Sequence, residues 1–180
     1  PRANTPLGQS ALVRKAFELA EMNPVVSDDV LAEIWRKFAL NAAINPICAV
    51  TGLRVGEISR TPAVDALQTR ILEEIIAVMD AKGVRRAGDL MASIKAHMRN
   101  RFIKPSMMQH VEAGRRTEID ALNGALVKQA RELNILTPYN DALVALVKGV
   151  ERSRQQVVHD PIDYDALDAA AAAQDKAETQ

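Results

Sequence analysis

The chain has 180 residues, 48% of them hydrophobic, enough for a real core in one domain of ordinary size or two small ones. Lysine plus arginine and aspartate plus glutamate balance at 23 each, so no global field draws in DNA, RNA or an anionic membrane. The single cysteine, Cys48, cannot form an intrachain disulfide and reads as an inert buried thiol in a reducing, cytoplasmic setting.

The periodicity is helical almost throughout. Residues 9–22 place Leu12, Ala16, Leu19 and Met22 at three- and four-residue steps, the spacing of an apolar helical stripe. "NPVVSDDV" then reads as a short extended piece, a candidate strand, with Ser27 or Asp28 as N-cap for a helix through Ile34, Trp35 and Phe38. Pro46 has no amide donor and clashes with the preceding turn, so this helix should kink or restart there and finish near Gly52. Thr61 and Pro62 read as N-cap and first helical residue of a long helix that closes at Gly83. Residues 88–102 form another. Ser106 fits an N-cap in Ser-x-x-Gln with Gln109, Thr117 opens a Thr-x-x-Asp variant of the capping box, and Thr137 with Pro138 repeats the Thr-Pro start. From His159 onward the chain is acidic and Ala-rich with few bulky side chains, so a short frayed helix or disorder is expected. Six or seven helices result. No alternating run suggests a sheet, and aromatic residues total only 3%, so the fold class is all-α.

Several chemistries have no basis in the residues. The three histidines, His97, His110 and His159, have no metal-ligand spacing, and one cysteine cannot complete a thiolate site, so no metal is implied. There is no GxSxG, no Walker-type loop and no GxGxxG after a strand, so nothing here alone cradles a nucleotide phosphate. No apolar stretch reaches the roughly 18 residues of a membrane span, and no basic segment with an apolar run opens the chain. The first residue is Pro rather than Met, which reads as a start inside a longer chain.

Two polar constellations remain. Lys37, Asn41 and Asn45 fall at i, i+4 and i+8, and each step of four advances about 400°, so they form one polar stripe. A lysine beside neutral amides in apolar surroundings can serve as a proton donor, because desolvation lowers its pKa toward the working range. The plainer reading has Lys37 snorkelling at a helix edge while the asparagines cap or bridge backbone. The second constellation is Ser106 and Glu118, at the starts of two successive helices. Each has a plain reading too, Ser106 as a cap and Glu118 as a first-turn carboxylate favoured by the helix dipole. Periodicity leaves these alternatives open.

"WRKFALNAAINPICAVTG", then "SMMQHVEAGRRTEIDALNG", then "TPYNDALVALVKGVE" resemble, in order and spacing, the C-terminal half of ketopantoate reductase (2-dehydropantoate 2-reductase), over roughly residues 24–152. The resemblance implies an all-α helical bundle similar to the C-terminal domain of 6-phosphogluconate dehydrogenase. It also implies a partner Rossmann domain that binds NADP(H), and a small 2-oxo acid substrate in the cleft between them. By the same resemblance Lys37 is the catalytic general acid and Glu118 a catalytic-site carboxylate that accepts a substrate hydroxyl. Asn41, Asn45 and Ser106 are then substrate-binding.

Two departures qualify that picture. Where the family often carries Asn before a Gly-Glu pair, "RVGEI" has Val55 before Gly56 and Glu57, so a related 2-oxo acid is an alternative substrate. Residues 1–27 resemble the last helix and strand of the Rossmann domain, whose dinucleotide loop is missing here. The expected organisation is therefore 1–27 as the end of that domain, 28–158 as the helical substrate-binding and catalytic domain, and 159–180 as a tail. On this expectation the cofactor is bound mainly by the missing domain, the chain alone is inactive, and its apolar cleft face favours a homodimer. The alternative from another class is a helical dimerisation or small-acid-binding module without chemistry.

Overall fold

The computed structural model describes residues 7–86, 88–159 and 161–178, and among them no strand occurs. The helices are α1 (Leu7–Leu19), α2 (Val30–Ala42), α3 (Asn45–Thr51), α4 (Val55–Ile58), α5 (Pro62–Ala81), α6 (Leu90–Met98) and α7 (Ser106–Glu112). A π-helix (Asp120–Gly124) runs into α8 (Ala125–Glu132), and α9 (Pro138–His159) and α10 (Tyr164–Glu178) complete the order. The helical expectation holds, with more and shorter pieces than six or seven.

α5 is the central element. Its Ile71, Leu72, Ile75, Val78 and Met79 are buried against Ala39, Ala42, Ala43, Ile44, Ile47 and Cys48 of the α2–α3 region, with Leu126, Ala130 and Leu143 from α8 and α9 closing the same core. The alanines on α2 remove side-chain bulk where the helices meet, which lets their backbones come close. A second cluster, Ala49, Met107, Val111, Ile119 and Val147, packs α3, α7 and α9 together. The adjacent methionines Met107 and Met108 serve one cluster each.

The break in the second helix is sharper than a kink. α2 stops at Ala42 and α3 restarts at Asn45, with Pro46 in its first turn. Pro46 has no amide to give the carbonyl of Ala42 four residues earlier. Asn123 supplies that donor through Nδ2 at 3.0 Å, and Gln68 Nε2 donates to the carbonyl of Ala43 at 3.3 Å. Both donors are buried, so the break is held by residues far away in sequence.

The same polar layer fixes α9. Glu74 on α5 is buried and accepts from the backbone amides of Tyr139 and Asn140, both at 2.9 Å, and from Asn140 Nδ2 at 2.6 Å. A carboxylate from another helix thus does the work of an N-cap. Asn140 Oδ1 in turn accepts from Asn123 Nδ2 at 2.9 Å.

Several local expectations are corrected. The N-cap of α2 is Asp29, whose side chain accepts from the Ala32 amide, rather than Ser27 or Asp28. The candidate strand in 23–30 forms no ladder, because a single extended piece has no partner strand for its backbone groups. Ser106 is the first residue of α7 after Pro105, not its cap, and Gln109 turns instead to the Lys104 carbonyl at 2.8 Å. The Thr117 capping box does not form: its hydroxyl accepts from the Ile119 amide, and Asp120 pairs with Lys148 at 2.7 Å. In the tail, Tyr164–Glu178 form a 15-residue helix, α10. Asp163 caps it by accepting from the Ala166 amide, and alanine's high helix propensity extends it. The side chains described on α1 and α10 are all exposed.

Candidate functional site

The loop from Arg99 to Pro105 forms one wall of the site, and α4 pins it. The amides of Val55 and Gly56, at the start of α4, donate to the carbonyls of Ile103 and Arg101 at 3.3 and 2.7 Å. Arg54 reaches the Phe102 carbonyl, and Arg60 donates to the Arg99 and Gly56 carbonyls while its guanidinium lies 4.7 Å from the Phe102 ring centroid. Gly56 is required at this crossing, because a Cβ there would sit 2.9 Å from the Arg99 carbonyl oxygen.

Behind this wall lies a cavity of about 300 Å³. Its polar lining is Asn41, Asn45, Ser106 and Glu118, and the rest is apolar, chiefly Leu40, Ile44, Val55, Met98, Ile103 and Leu122. Four of the five residues expected at the site therefore meet in one place. They come from α2, α3, α7 and the turn ahead of the π-helix, and the π-helix itself contributes Leu122. Lys37 is one turn before Asn41 and exposed; it lines a wider adjoining groove of about 940 Å³ with Val25, Val26, Val30, Ile34 and Arg101. Leu40 and Met98 line both spaces, so the groove and the cavity are neighbours.

The single stripe is corrected. Lys37 and Asn41 are on α2, whereas Asn45 is the first residue of α3 beyond the break. The restart carries Asn45 inward to 7% exposure. Asn41 is half-buried, so exposure falls along the three, from Lys37 in the groove to Asn45 against the cavity.

At the far side the carboxylate of Glu118 is held at both oxygens. Ser106 Oγ donates to Oε1 at 2.8 Å, and His110 Nδ1 lies 3.2 Å from Oε2. A carboxylate can only accept, so the serine proton is committed to it and Ser106 is left with acceptor capacity alone. Asn45, by contrast, makes no side-chain hydrogen bond among the described residues, although it is buried against the cavity. The cavity thus has an amide end and an acceptor-only end. His110 was not anticipated; it shares a face of α7 with Ser106 at i, i+4, a spacing that could have revealed it. Cys48 takes no part: burial first, and the nearby charge of Glu57 second, push its thiol up to about 12.

Among the described residues no three His, Cys, Asp or Glu side chains gather as a metal site, and no helix is long and apolar enough to cross a membrane. The family described as ketopantoate reductase PanE/ApbA C terminal matches residues 29–151. A 2-dehydropantoate 2-reductase from Archaeoglobus fulgidus is 34% identical over 152 residues, 80% of this chain and 49% of that protein. The PanE/ApbA family ketopantoate reductase structure from Ralstonia eutropha JMP134 is 34% identical with a TM-score of 0.75, over 81% of this chain and 49% of that one. A ternary D-mandelate dehydrogenase structure with NADH and anilino(oxo)acetate has a TM-score of 0.76 over 86% of this chain and 65% of that one. At 22% identity that likeness is one of fold. The chain spans about half the length of the curated relatives it matches. With its helical fold, its match over residues 29–151 and its 34% identity to named reductases, the chain belongs to the ketopantoate reductase family, in the C-terminal part of that family's sequence.

Proposed function

We propose that this chain supplies the substrate-holding and proton-donating part of an NADPH-dependent reductase that converts ketopantoate to pantoate. The observation that carries the reading is the polarity of the 300 Å³ cavity: unpartnered amide at Asn45, acceptors only at Ser106 and Glu118. A 2-oxo acid with a remote hydroxyl matches it. Its carboxylate and carbonyl oxygens accept from the amide N–H groups of Asn41 and Asn45, and its hydroxyl donates to Glu118. Neutral amides leave the charge of Lys37 available for the reacting oxygen.

The residues fit a nicotinamide cofactor in part. The groove beside Lys37 offers an apolar wall, Val25, Val26, Val30 and Ile34, suited to one face of a ring, but the sequence has no phosphate-cradling loop. The cofactor, when bound, supplies a hydride to the carbonyl carbon. Lys37 Nζ gives its proton to the carbonyl oxygen as negative charge develops there, and the neutral amine recovers a proton from water. Val55 lines the cavity without a hydrogen-bonding group, which favours an apolar substituent at that wall. On this reading residues 28–158 are the substrate domain, 1–27 belong with a dinucleotide-binding part outside these residues, and 159–180 are a tail. The 180 residues alone then show no turnover.

NADPH oxidation with ketopantoate by the longest product of the gene, wild type beside Lys37→Ala, tests the proposal. A folded variant slower by about two to four orders of magnitude is expected, the range for loss of a positioned general acid. Undiminished turnover would remove Lys37 from the chemistry. A second reading, a dimerisation or small-acid-binding module without turnover, is favoured by the exposed Leu12, Val13 and Leu19 of α1, which suit contact with another chain or a second copy. Ligand binding with no turnover by any product of the gene, across several 2-oxo acids, would select it.

A further inference from the structure

Building on that reading of the cavity, we propose that His110 is a positioning residue for Glu118 and so sets the preference for a 2-oxo acid that carries a hydroxyl. Nothing in the expected chemistry requires a histidine here, and His110 does not line the cavity. It stands behind Glu118, with 35% of its side chain exposed against 31% for the glutamate.

The last torsion of a glutamate side chain is broad and roughly two-fold, so one hydrogen bond leaves the carboxylate plane free to turn. Ser106 alone would leave Glu118 in that state. His110, one turn further along α7, takes the second oxygen, and two donors from one rigid helix face fix the plane. Glu118 reaches them through the turn after α7, where Gly114 has φ +63° with no room for a Cβ beside Val158, and the Thr117 amide donates to Glu151 of α9. With the plane fixed, the acceptor that Glu118 offers to the cavity keeps its direction before a ligand arrives, and less ordering is left to binding. A neutral His110 does this only with its proton on Nδ1, the tautomer that the carboxylate itself selects.

The gene's longest product is assayed with ketopantoate and with 3,3-dimethyl-2-oxobutanoate, which lacks the hydroxyl. His110→Ala should raise KM for ketopantoate about tenfold, the scale of one hydrogen bond to a charged group, with kcat changed by less than about threefold. The hydroxyl-free substrate should be unaffected, and His110→Asn, whose amide nitrogen can take the place of Nδ1, should recover most of the loss. Equal losses on both substrates would overturn the proposal, as would no change on ketopantoate. If wild type turns over neither substrate, the proposed function fails, and ring ¹⁵N shifts of His110 in the 180-residue chain decide this inference separately. An Nδ1-protonated neutral ring that shifts toward Nε2 in Glu118→Ala supports the pairing; the same tautomer in both proteins overturns it.

Discussion

Glu73 and Glu74 are neighbours on α5 with opposite roles, and their replacement by alanine tests how the polar layer holds this domain. Glu73 pairs with Arg70 at the surface, the two side chains 48% and 60% exposed. Such pairs contribute little, so Glu73→Ala should change stability by less than about 0.5 kcal/mol. Glu74 is 9% exposed and receives three donors, two of them backbone amides at the start of α9. Each hydrogen bond to a charged acceptor contributes about 1.5–3 kcal/mol net, and three sharing one carboxylate add less than their sum. The donors left behind include a fully buried Asn140, so Glu74→Ala should cost about 3–5 kcal/mol. Glu74→Gln keeps the shape but offers one acceptor atom in place of two and should fall between. Urea unfolding of the three variants, with slopes compared to confirm an unchanged transition, supplies the free energies. A loss below about 1 kcal/mol for Glu74→Ala, or equal losses for the two alanine variants, would refute the argument. The effect should also reach the cavity, because Asn140 supports Asn123, which holds the Ala42 carbonyl beside Asn41.

Other outcomes are expected from the same structure. Gly56→Ala should destabilise by about 1–3 kcal/mol, the usual range for overpacking, and weaken ligand binding, since the Arg99–Pro105 wall must move; a crystal structure or amide exchange of residues 99–105 would detect that shift. Asn45→Ala should change stability by less than about 1 kcal/mol, because its side chain has no hydrogen-bond partner among the described residues, yet weaken ligand binding about tenfold by calorimetry. Cys48 should resist iodoacetamide at pH 8 in the folded chain and react in urea. Because its folded pKa is raised above the unfolded value, its contribution to stability is complete below about pH 8.5 and declines as pH rises toward 12, a slope that Cys48→Ala should reduce.

Much of the fold was legible in residues that act on their own turn. Pro62 and Pro138 start α5 and α9 as their fixed φ predicts, and Gly83 follows α5 with φ +67°. The π-helix was not legible, because no residue pattern in Asp120–Gly124 specifies a wider turn, which is a tertiary outcome. Two capping boxes failed because their polar residues took other partners. Ser106 and Asp120 found long-range partners in Glu118 and Lys148, and Thr117 bonded within its own turn. A polar side chain near a helix start takes whichever partner the fold presents.

By itself the sequence determined the helical class and the identity of the polar residues available for chemistry, since periodicity and side-chain type are local properties. It also carried the blocks by which the family is recognised. The tertiary structure decided which of those residues meet. Asn45 entered the cavity because the orphaned carbonyls of Ala42 and Ala43 were taken by Asn123 and Gln68, 81 and 25 residues away, stabilising a break that Pro46 could only initiate. Lys37 stayed in the groove while Asn45 turned inward, and His110 came behind Glu118. A pattern repeating every few residues carries no record of contacts made across such distances; they exist only once the helices have packed.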